Sequence, residues 1–149
     1  MQNNNENTNA FLIHICAFIG YLFPLGSIIT PLILWQTLKD RSLFLDKHGK
    51  EAVNFNISFG LYIIITITLF CFLLFGFLFG GFFYNYNQPT FDFETDFIFQ
   101  NSSTIIGLVI TSIFFCLISI SKIALIIIAS IKANKGEEYH YPFTINFIK

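Results

Sequence analysis

The stretch TLFCFLLFGFLFGGFF, residues 68–83, decides the fold class because it has no charged residue and is apolar on every face of a helix. It lies inside a window from Ala52 to Phe91 that lacks Asp, Glu, Lys and Arg. Similar windows run from Ala10 to Leu38 and from Phe97 to Ser121. Each window is longer than the roughly 20 residues that a helix needs to cross the hydrocarbon core of a bilayer.

The overall composition agrees with these windows. Of 149 residues, 54% are hydrophobic and 11% are charged, whereas an ordinary soluble domain has roughly 25% charged residues. The net charge of −1 gives no indication of a nucleic-acid partner. The composition therefore excludes a soluble monomer and predicts an all-α integral membrane protein with the lipid bilayer as its solvent.

We predict a disordered polar tail at residues 1–9 and one transmembrane helical domain at 10–149. Three hydrophobic units are expected within that domain, at about 10–38, 53–83 and 104–132. An acidic outer loop at 84–103 separates the last two units, and a cytoplasmic tail at 133–149 follows.

The first hydrophobic unit contains a predicted helix break. Pro24 removes a backbone donor, Gly26 frees the backbone, and Pro31 removes a second donor seven residues later. The unit is either one kinked span or two short helices, about 9–23 and 27–39. The bundle accordingly has three or four helices.

The distribution of charge predicts the orientation. The loop after the first unit contains four basic residues, whereas the acidic outer loop has none and carries Asp92, Glu94 and Asp96. Because basic residues collect on the cytoplasmic side, the first loop and the C-terminus should be cytoplasmic in a bacterial inner membrane. The N-terminus is outside if the first unit crosses once, and inside if the unit is split.

A few polar residues interrupt the apolar units, namely His14, Ser119 and Lys122. His14 is expected to bond a neighbouring helix, or else to act in a proton relay, with Tyr21 on the same helical face. Lys122 either snorkels to the inner interface or is buried against polar partners. The counterpart considered is the turn with Asn54, Asn56 and Ser58 on the second unit. Lys122 shares one face of its own helix with a stripe of small polar residues that would face other helices: Thr111, Ser112, Cys116, Ser119 and Ser130.

A charged collar precedes the second hydrophobic unit and is the candidate interaction site. Asp46 is expected to cap the helix, although Asp46 and Glu51 could instead orient His48 as an acid or base. The tail segment YPFTINFIK alternates apolar and polar residues and should lie extended along the bundle or the membrane surface. The collar comprises Asp46, His48, Gly49, Lys50, Glu51 and Asn54.

No motif for a metal, a cofactor or catalysis is apparent. Cys16, Cys71 and Cys116 fall one in each hydrophobic unit without a His/Cys cluster, so we expect buried small side chains rather than ligands. The loop segment TFDFETDF could bind a cation, but a solvated loop with Phe residues at the interface is preferred.

Three segments resemble, in the same order, blocks of a family of small bacterial membrane proteins of unknown function. They are HICAFIGYLFPLGSIITPLILW, KDRSLFLDKHGKEAVNFNIS and IKANKGEEYHYPFTINFIK. That family is distantly similar to the Tic-type protein-import component of the chloroplast inner envelope. The resemblance implies a small helical membrane fold without established catalytic residues, a remote link to protein import, and four spans, as in a split first unit. The matching positions are Gly20, Tyr21, Pro24, Gly26, Pro31, Trp35, Asp46, His48, Gly49, Lys50, Glu51, Asn54, Phe55, Ala133, Gly136, Tyr141 and Pro142.

These observations predict a non-enzymatic membrane protein that binds a protein partner at its cytoplasmic face, in membrane assembly or protein translocation. The alternative is a transporter or channel for a small solute or ion, which would need a homo-oligomer because three units are few. An intramembrane enzyme using His48 lacks a nucleophile in this sequence.

Overall fold

The computed structural model describes residues 4–23, 25–87 and 95–148, with side chains described over 4–23, 25–80 and 101–148. All regular structure in these ranges is helical. The four α-helices are α1 (Asn4–Ile15), α2 (Gly26–Leu38), α3 (Leu43–Asn87) and α4 (Thr95–Asn134), and short 3-10 helices lie at Cys16–Tyr21 and Lys39–Arg41. The all-α prediction with up to four helices is therefore confirmed.

The chain divides into two compact units. Unit 1 comprises Met1–Leu61 and Ile120–Lys149, and unit 2 comprises Tyr62–Ser119. The three sequence segments that carry the family resemblance all lie in unit 1. Its apolar core brings together residues from α1, α2, α3 and the end of α4: Ala10, Ile13, Leu38, Phe44, Leu45, Ala52 and Ala133.

The first hydrophobic unit is split into two helices, as one of the two predicted alternatives required. The 3-10 helix ends at Tyr21 and α2 begins at Gly26, while Leu25 between them has a positive φ of 65°. Pro24 lies outside the described residues. Pro31 lies inside α2 and does not end it, contrary to its expected role as a second breaker. The break is therefore confined to the segment before Gly26.

Polar groups at this break are paired inside unit 1. The Thr30 hydroxyl donates to the Cys16 carbonyl at 2.9 Å, and lies 2.6 Å from the Gly26 carbonyl. Backbone groups freed at membrane depth need such protein partners because lipid offers none. Gly20 permits the close approach, since a Cβ there would lie 2.5 Å from Ser27 Cβ.

Two predicted ends of helices differ from the structure. Asn4–Asn9, expected to be disordered, form the first half of α1, which is held because Ala10, Ile13 and His14 are buried in unit 1. Ser42 rather than Asp46 caps α3: its backbone is extended and its Oγ accepts the Leu45 amide at 3.3 Å.

Among the described residues, two segments are long and apolar enough to cross a membrane, one in α3 and one in α4. These are Leu43–Gly80 and Asn101–Asn134, with mean hydropathies of 2.6 and 2.5. In the most apolar part of each segment only 6% and 17% of the residues are buried, so neither resembles the core helix of a soluble protein. The exposed apolar surface of these helices is therefore suited to contact with lipid.

Unit 2 is a pair of helical segments with few buried side chains. Phe72, Ile110 and Leu117 are each more than half exposed, as expected of residues that face lipid. A groove of about 260 Å³ lies between the segments, with Thr66 and Thr111 among its lining residues. Both hydroxyls donate to carbonyls of their own helix, so the groove is effectively apolar.

Trp35 packs directly on Gly49 at the start of α3. A Cβ at position 49 would lie only 2.1 Å from Trp35 Cδ1, a distance that heavy atoms do not tolerate. The indole Nε1 also donates to Asp46 Oδ1 at 2.9 Å, which fixes the ring over the glycine. Gly49 therefore serves to admit the tryptophan rather than to provide backbone flexibility.

We expect Gly49→Ala to lower the stability of the protein in detergent by roughly 1–3 kcal/mol, the usual cost of overpacking. Gly76→Ala is the matched control, because nothing lies within 4 Å of a Cβ at that position of the same helix. Thermal unfolding followed by circular dichroism should show a lower melting temperature for Gly49→Ala only. Equal melting temperatures for the two variants would contradict this account of the Trp35 contact.

Candidate functional site

Three polar side chains from distant parts of the sequence form a buried hydrogen-bonded chain in unit 1. His14 Nε2 lies 2.8 Å from His48 Nδ1, and the Tyr141 hydroxyl lies 2.9 Å from His14 Nδ1. The exposed fractions are 0%, 1% and 6% for His14, His48 and Tyr141. This histidine–tyrosine cluster joins α1, α3 and the segment that follows α4.

Aromatic packing positions the members of the cluster. The Tyr141 ring stacks on Phe55 with centroids 3.9 Å apart and planes within 14°, and the Phe44 ring meets the His48 ring edge-on at 4.4 Å. Because Phe55 follows His48 by seven residues, both lie on one face of α3. One face of α3 thus presents both the imidazole and the platform for the tyrosine.

The cluster permits two directions of donation, because a neutral imidazole has one donor and one acceptor nitrogen. In one direction, Tyr141 donates to His14 and His14 donates to His48. In the other, His48 donates to His14 and His14 donates to Tyr141. In both cases His48 Nε2 is the end of the chain, buried without a well-formed hydrogen bond among the described residues. The Glu137 backbone and the Glu138 carboxylate interact with this ring.

A small cavity beside His48 connects the cluster with the charged surface. Its volume is about 10 Å³, which is room for about one water molecule. Its lining residues come from the start of α3 and from the tail: Lys47, His48, Glu51, Glu138, Tyr139 and His140. The end of the hydrogen-bonded chain therefore adjoins ionised groups.

The surroundings of Tyr141 and Glu138 in the tail shift the pKa values of both side chains. Burial raises the pKa of Tyr141 well above the ordinary value of about 10, so its hydroxyl remains a hydrogen-bond donor at neutral pH. The hydrogen bond from Lys47 lowers the pKa of Glu138, whose carboxylate lies 2.6 Å from Lys47 Nζ. The cluster thus contains a neutral phenol, and an ionised carboxylate lies beside it.

The tail binds along a polar stripe of α3 formed by Glu51, Asn54 and Ser58. Asn54 Oδ1 accepts the amides of Phe147 and Ile148 at 3.1 and 2.9 Å, and its Nδ2 donates to the Ile148 carbonyl at 3.0 Å. The two other stripe residues accept tail amides as well: Glu51 from Tyr141 at 3.3 Å and Ser58 from Ile145 at 2.9 Å. The tail therefore lies along α3, but it is not extended throughout, because residues 142 and 143 form a turn.

The residues of the predicted collar divide between three roles. Asp46 binds Trp35 and forms an ion pair with Lys50 at 2.7 Å. His48 and Gly49 face inward, to His14 and to Trp35 respectively. The remaining two, Glu51 and Asn54, hold the tail.

The expectation that Asp46 or Glu51 orients His48 is wrong with respect to hydrogen bonding. The partner of His48 is His14, and the Glu51 carboxylate instead lies 2.8 Å from His140 Nδ1. The predicted bond of His14 to a neighbouring helix is confirmed. Its predicted common face with Tyr21 is not, because the helix changes to 3-10 geometry at Cys16 and Tyr21 is 60% exposed.

Lys122 is buried in α4, with an exposed fraction of 7%, rather than exposed as snorkelling would require. The expected contact with the Asn54, Asn56 and Ser58 turn does not form, because Asn54 and Ser58 bind the tail and the Asn56 amide donates to Ala52 of its own helix. The hydroxyls of the predicted stripe, including Ser119 and Ser130, donate to the carbonyls four residues earlier. They do not act as bonds between helices.

Sequence reasoning missed the role of Tyr141 and the contact of Trp35 with Gly49. Trp35 and Tyr141 both stand in the quoted segments, and the first two segments each contain a histidine that the structure buries, His14 and His48. A buried histidine in two separate segments was the available signal, since such a group needs a polar partner. No pattern in the sequence selects Tyr141 among the six tyrosines as that partner.

The fold and the cluster define a class, a small helical membrane protein with two candidate membrane helices. Its polar end, which is formed by the start of α3, the end of α4 and the tail, is held by buried hydrogen bonds. The chain belongs to the magnetosome magnetite crystal formation protein family, MamF/MmsF, which matches residues 5–148. No curated protein and no solved structure matches it significantly. The family match supports the predicted small membrane protein and gives no support to the Tic-type similarity.

The described residues contain no group of three or more His, Cys, Asp or Glu side chains that converge as metal ligands. Within the predicted acidic outer loop, Asp92 and Glu94 lie outside the described residues, and the side chain of Asp96 does so too.

We expect Tyr141→Phe to weaken the docking of the tail by roughly 1–3 kcal/mol, because it leaves His14 Nδ1 buried without its partner. Tyr139→Phe is the control, since Tyr139 contacts Tyr141 only ring to edge, at 5.1 Å. Limited proteolysis after residue 136 in detergent should be faster for Tyr141→Phe alone. Equal cleavage rates in the two variants would exclude a fastening role for the Tyr141 hydroxyl.

Docking of the tail should also weaken at alkaline pH. The folded pKa of Tyr141 is raised, so its contribution is complete below about pH 10 and falls as pH rises toward the folded value, by roughly 1.4 kcal/mol per unit. Proteolysis between pH 8 and 11 should accelerate in the wild type and in Tyr139→Phe. In Tyr141→Phe the alkaline acceleration should disappear, and its persistence would contradict the assignment.

Proposed function

We propose that the protein is a non-enzymatic membrane component whose polar end, within unit 1, binds a protein partner during membrane assembly. The observation that carries the proposal is the histidine–tyrosine cluster, which fastens the N-terminal helix, α3 and the tail to one another. A surface held in one arrangement before binding loses less conformational entropy on association. The cluster thus supports binding by holding the charged residues at this end of unit 1 in one arrangement.

The exposed face of this end carries charges of both signs. Lys47 and Glu138 are paired at 2.6 Å with side chains 58% and 53% exposed, and Lys132 and Glu137 lie 3.8 Å apart. Exposed ion pairs contribute little to stability but select partners by charge complementarity. This arrangement supports an interaction surface better than a catalytic site.

The family description suggests where such a component acts. Its members are described by the formation of magnetite crystals in magnetosomes. We propose that this chain organises proteins in a membrane of that kind or in the bacterial inner membrane. The charged end is then cytoplasmic, together with the C-terminus, as the basic residues of the first loop favour.

The split first unit also favours a cytoplasmic N-terminus. α2 has 13 residues, a length of about 20 Å, which is short of the 30 Å hydrocarbon core. The hairpin of α1 and α2 therefore enters and returns on one side in this proposal, while α3 and α4 cross.

Site-specific photo-crosslinking in living cells tests the partner. A photoreactive residue at Lys47 or Lys135, both exposed at the polar end, should capture a discrete protein adduct. The control is Leu117, which is 58% exposed in unit 2 and faces lipid in this proposal. Adducts from position 117 but not from positions 47 and 135 would contradict the proposal.

The alternative, an oligomeric transporter or channel, is favoured by two observations. Lys122 is buried in a candidate span, and the first hydrophobic unit is discontinuous. Solute or ion flux through purified protein in liposomes, abolished by Lys122→Leu, would favour this alternative over the assembly role. We expect no flux.

A further inference from the structure

The tail after α4 is held mainly through its backbone. Four of its amides, those of Tyr141, Ile145, Phe147 and Ile148, donate to side chains of the polar stripe of α3. Recognition of main-chain groups leaves the side chains free to face elsewhere. Only Tyr141 among the apolar and aromatic tail residues is buried.

The apolar side chains of the tail instead point outward. Phe143, Ile145 and Phe147 are 80%, 47% and 48% exposed. Phe143 has a φ of 60°, in the left-handed region that non-glycine residues enter at a cost of about 1 kcal/mol or more, directly after Pro142. The turn therefore directs a phenyl ring away from unit 1 at a position where glycine would be the ordinary residue.

The depth of the tail follows from its partners on α3. Glu51 is the last charged residue before the apolar window, and Ser58 lies seven residues, or about 10 Å, further along the helix. Because Ser58 binds the Ile145 amide at 2.9 Å, the tail reaches beyond Glu51 along the apolar part of α3. Non-helical backbone is tolerated at such depth only where protein groups satisfy it.

The surroundings match the interfacial layer of a bilayer. Lys39 lies 6.0 Å from the Trp35 ring and Lys132 lies 5.6 Å from the Tyr139 ring, and such aromatic and basic pairs collect at membrane interfaces.

We propose that residues 141–148 lie in the interfacial layer of the bilayer as a non-helical strap, with Phe143, Ile145 and Phe147 in contact with lipid. The polar stripe of α3 makes this possible by pairing the backbone of the strap. The strap thereby attaches the protein to the membrane in addition to the two membrane helices. It also places Tyr141 at the same depth as His14. It requires membrane insertion of α3 and α4, and does not depend on a protein partner at the polar end.

Depth-dependent fluorescence quenching tests the strap in the full-length protein. A cysteine-free background, Cys16→Ser with Cys71→Ala and Cys116→Ala, receives one cysteine for an environment-sensitive fluorophore. Ile145→Cys is the test site, Lys135→Cys is the aqueous reference, and Leu117→Cys is the lipid reference. Each labelled protein is reconstituted in vesicles of phosphatidylethanolamine and phosphatidylglycerol, then exposed to iodide or to lipids with a quencher near the headgroup.

We expect the label at position 145 to be quenched several-fold less by iodide than the label at 135, and to be quenched by the lipid-borne group. Quenching by iodide as strong as at position 135 would overturn the inference, because the strap would face water. Protection from both quenchers would also overturn it, since protein would then cover the tail. Neither result bears on crosslinking at position 47, so failure of the strap and of the proposed partner can be distinguished.

A pair of amide substitutions tests the role of the polar stripe. Asn54→Ala removes three hydrogen bonds to the tail, whereas Asn56→Ala removes one bond that lies within α3. Iodide quenching at position 145 should rise in Asn54→Ala and stay unchanged in Asn56→Ala, with circular dichroism showing the same helix content for both. Unchanged protection in Asn54→Ala would contradict the dependence of the strap on α3.

Discussion

The structure depends on one constraint, which is that polar atoms removed from water must find partners within the chain. In unit 1 both nitrogens of His14 meet this requirement, through His48 Nδ1 and the Tyr141 hydroxyl. A buried polar group without a partner costs about as much as several methylene contacts contribute, so the three groups are bound to one arrangement. The positions of α1, α3 and the tail relative to one another within unit 1 follow from that arrangement.

The same constraint accounts for residues in unit 1 that do not belong to the cluster. In the split first unit, the Thr30 hydroxyl of α2 donates to the Cys16 carbonyl at the start of the 3-10 helix. On α3, Asn54 takes up two amides and one carbonyl of the tail. An amide side chain suits this position because it offers both an acceptor and a donor. These polar residues enter an apolar helix to satisfy irregular backbone nearby.

The residues predicted well from the sequence were those whose behaviour depends on their own segment. The lipid-length helices, the break before Gly26 and the non-helical tail follow from composition, proline and alternation, which are local properties. The errors arose where a distant segment decides. Asp46 has the chemistry of a helix cap, yet Trp35 and Lys50 occupy its carboxylate and Ser42 caps α3 instead. The periodicity that joins His14 to Tyr21 assumes an α-helix, and the 3-10 segment from Cys16 rotates Tyr21 away.

The hydroxyl residues of the spans show why a polar stripe in an apolar helix is a poor guide to contacts between helices. Thr111, Ser112, Ser119 and Ser130 all lie four residues after the carbonyl that accepts their proton. A helix in lipid always offers this carbonyl at the same distance, so a hydroxyl needs no second helix to be satisfied. Histidine and asparagine side chains cannot satisfy both of their polar positions in this way. His14, His48 and Asn54 make distant contacts in unit 1 that the four span hydroxyls do not, whereas the Asn56 amide donates within α3.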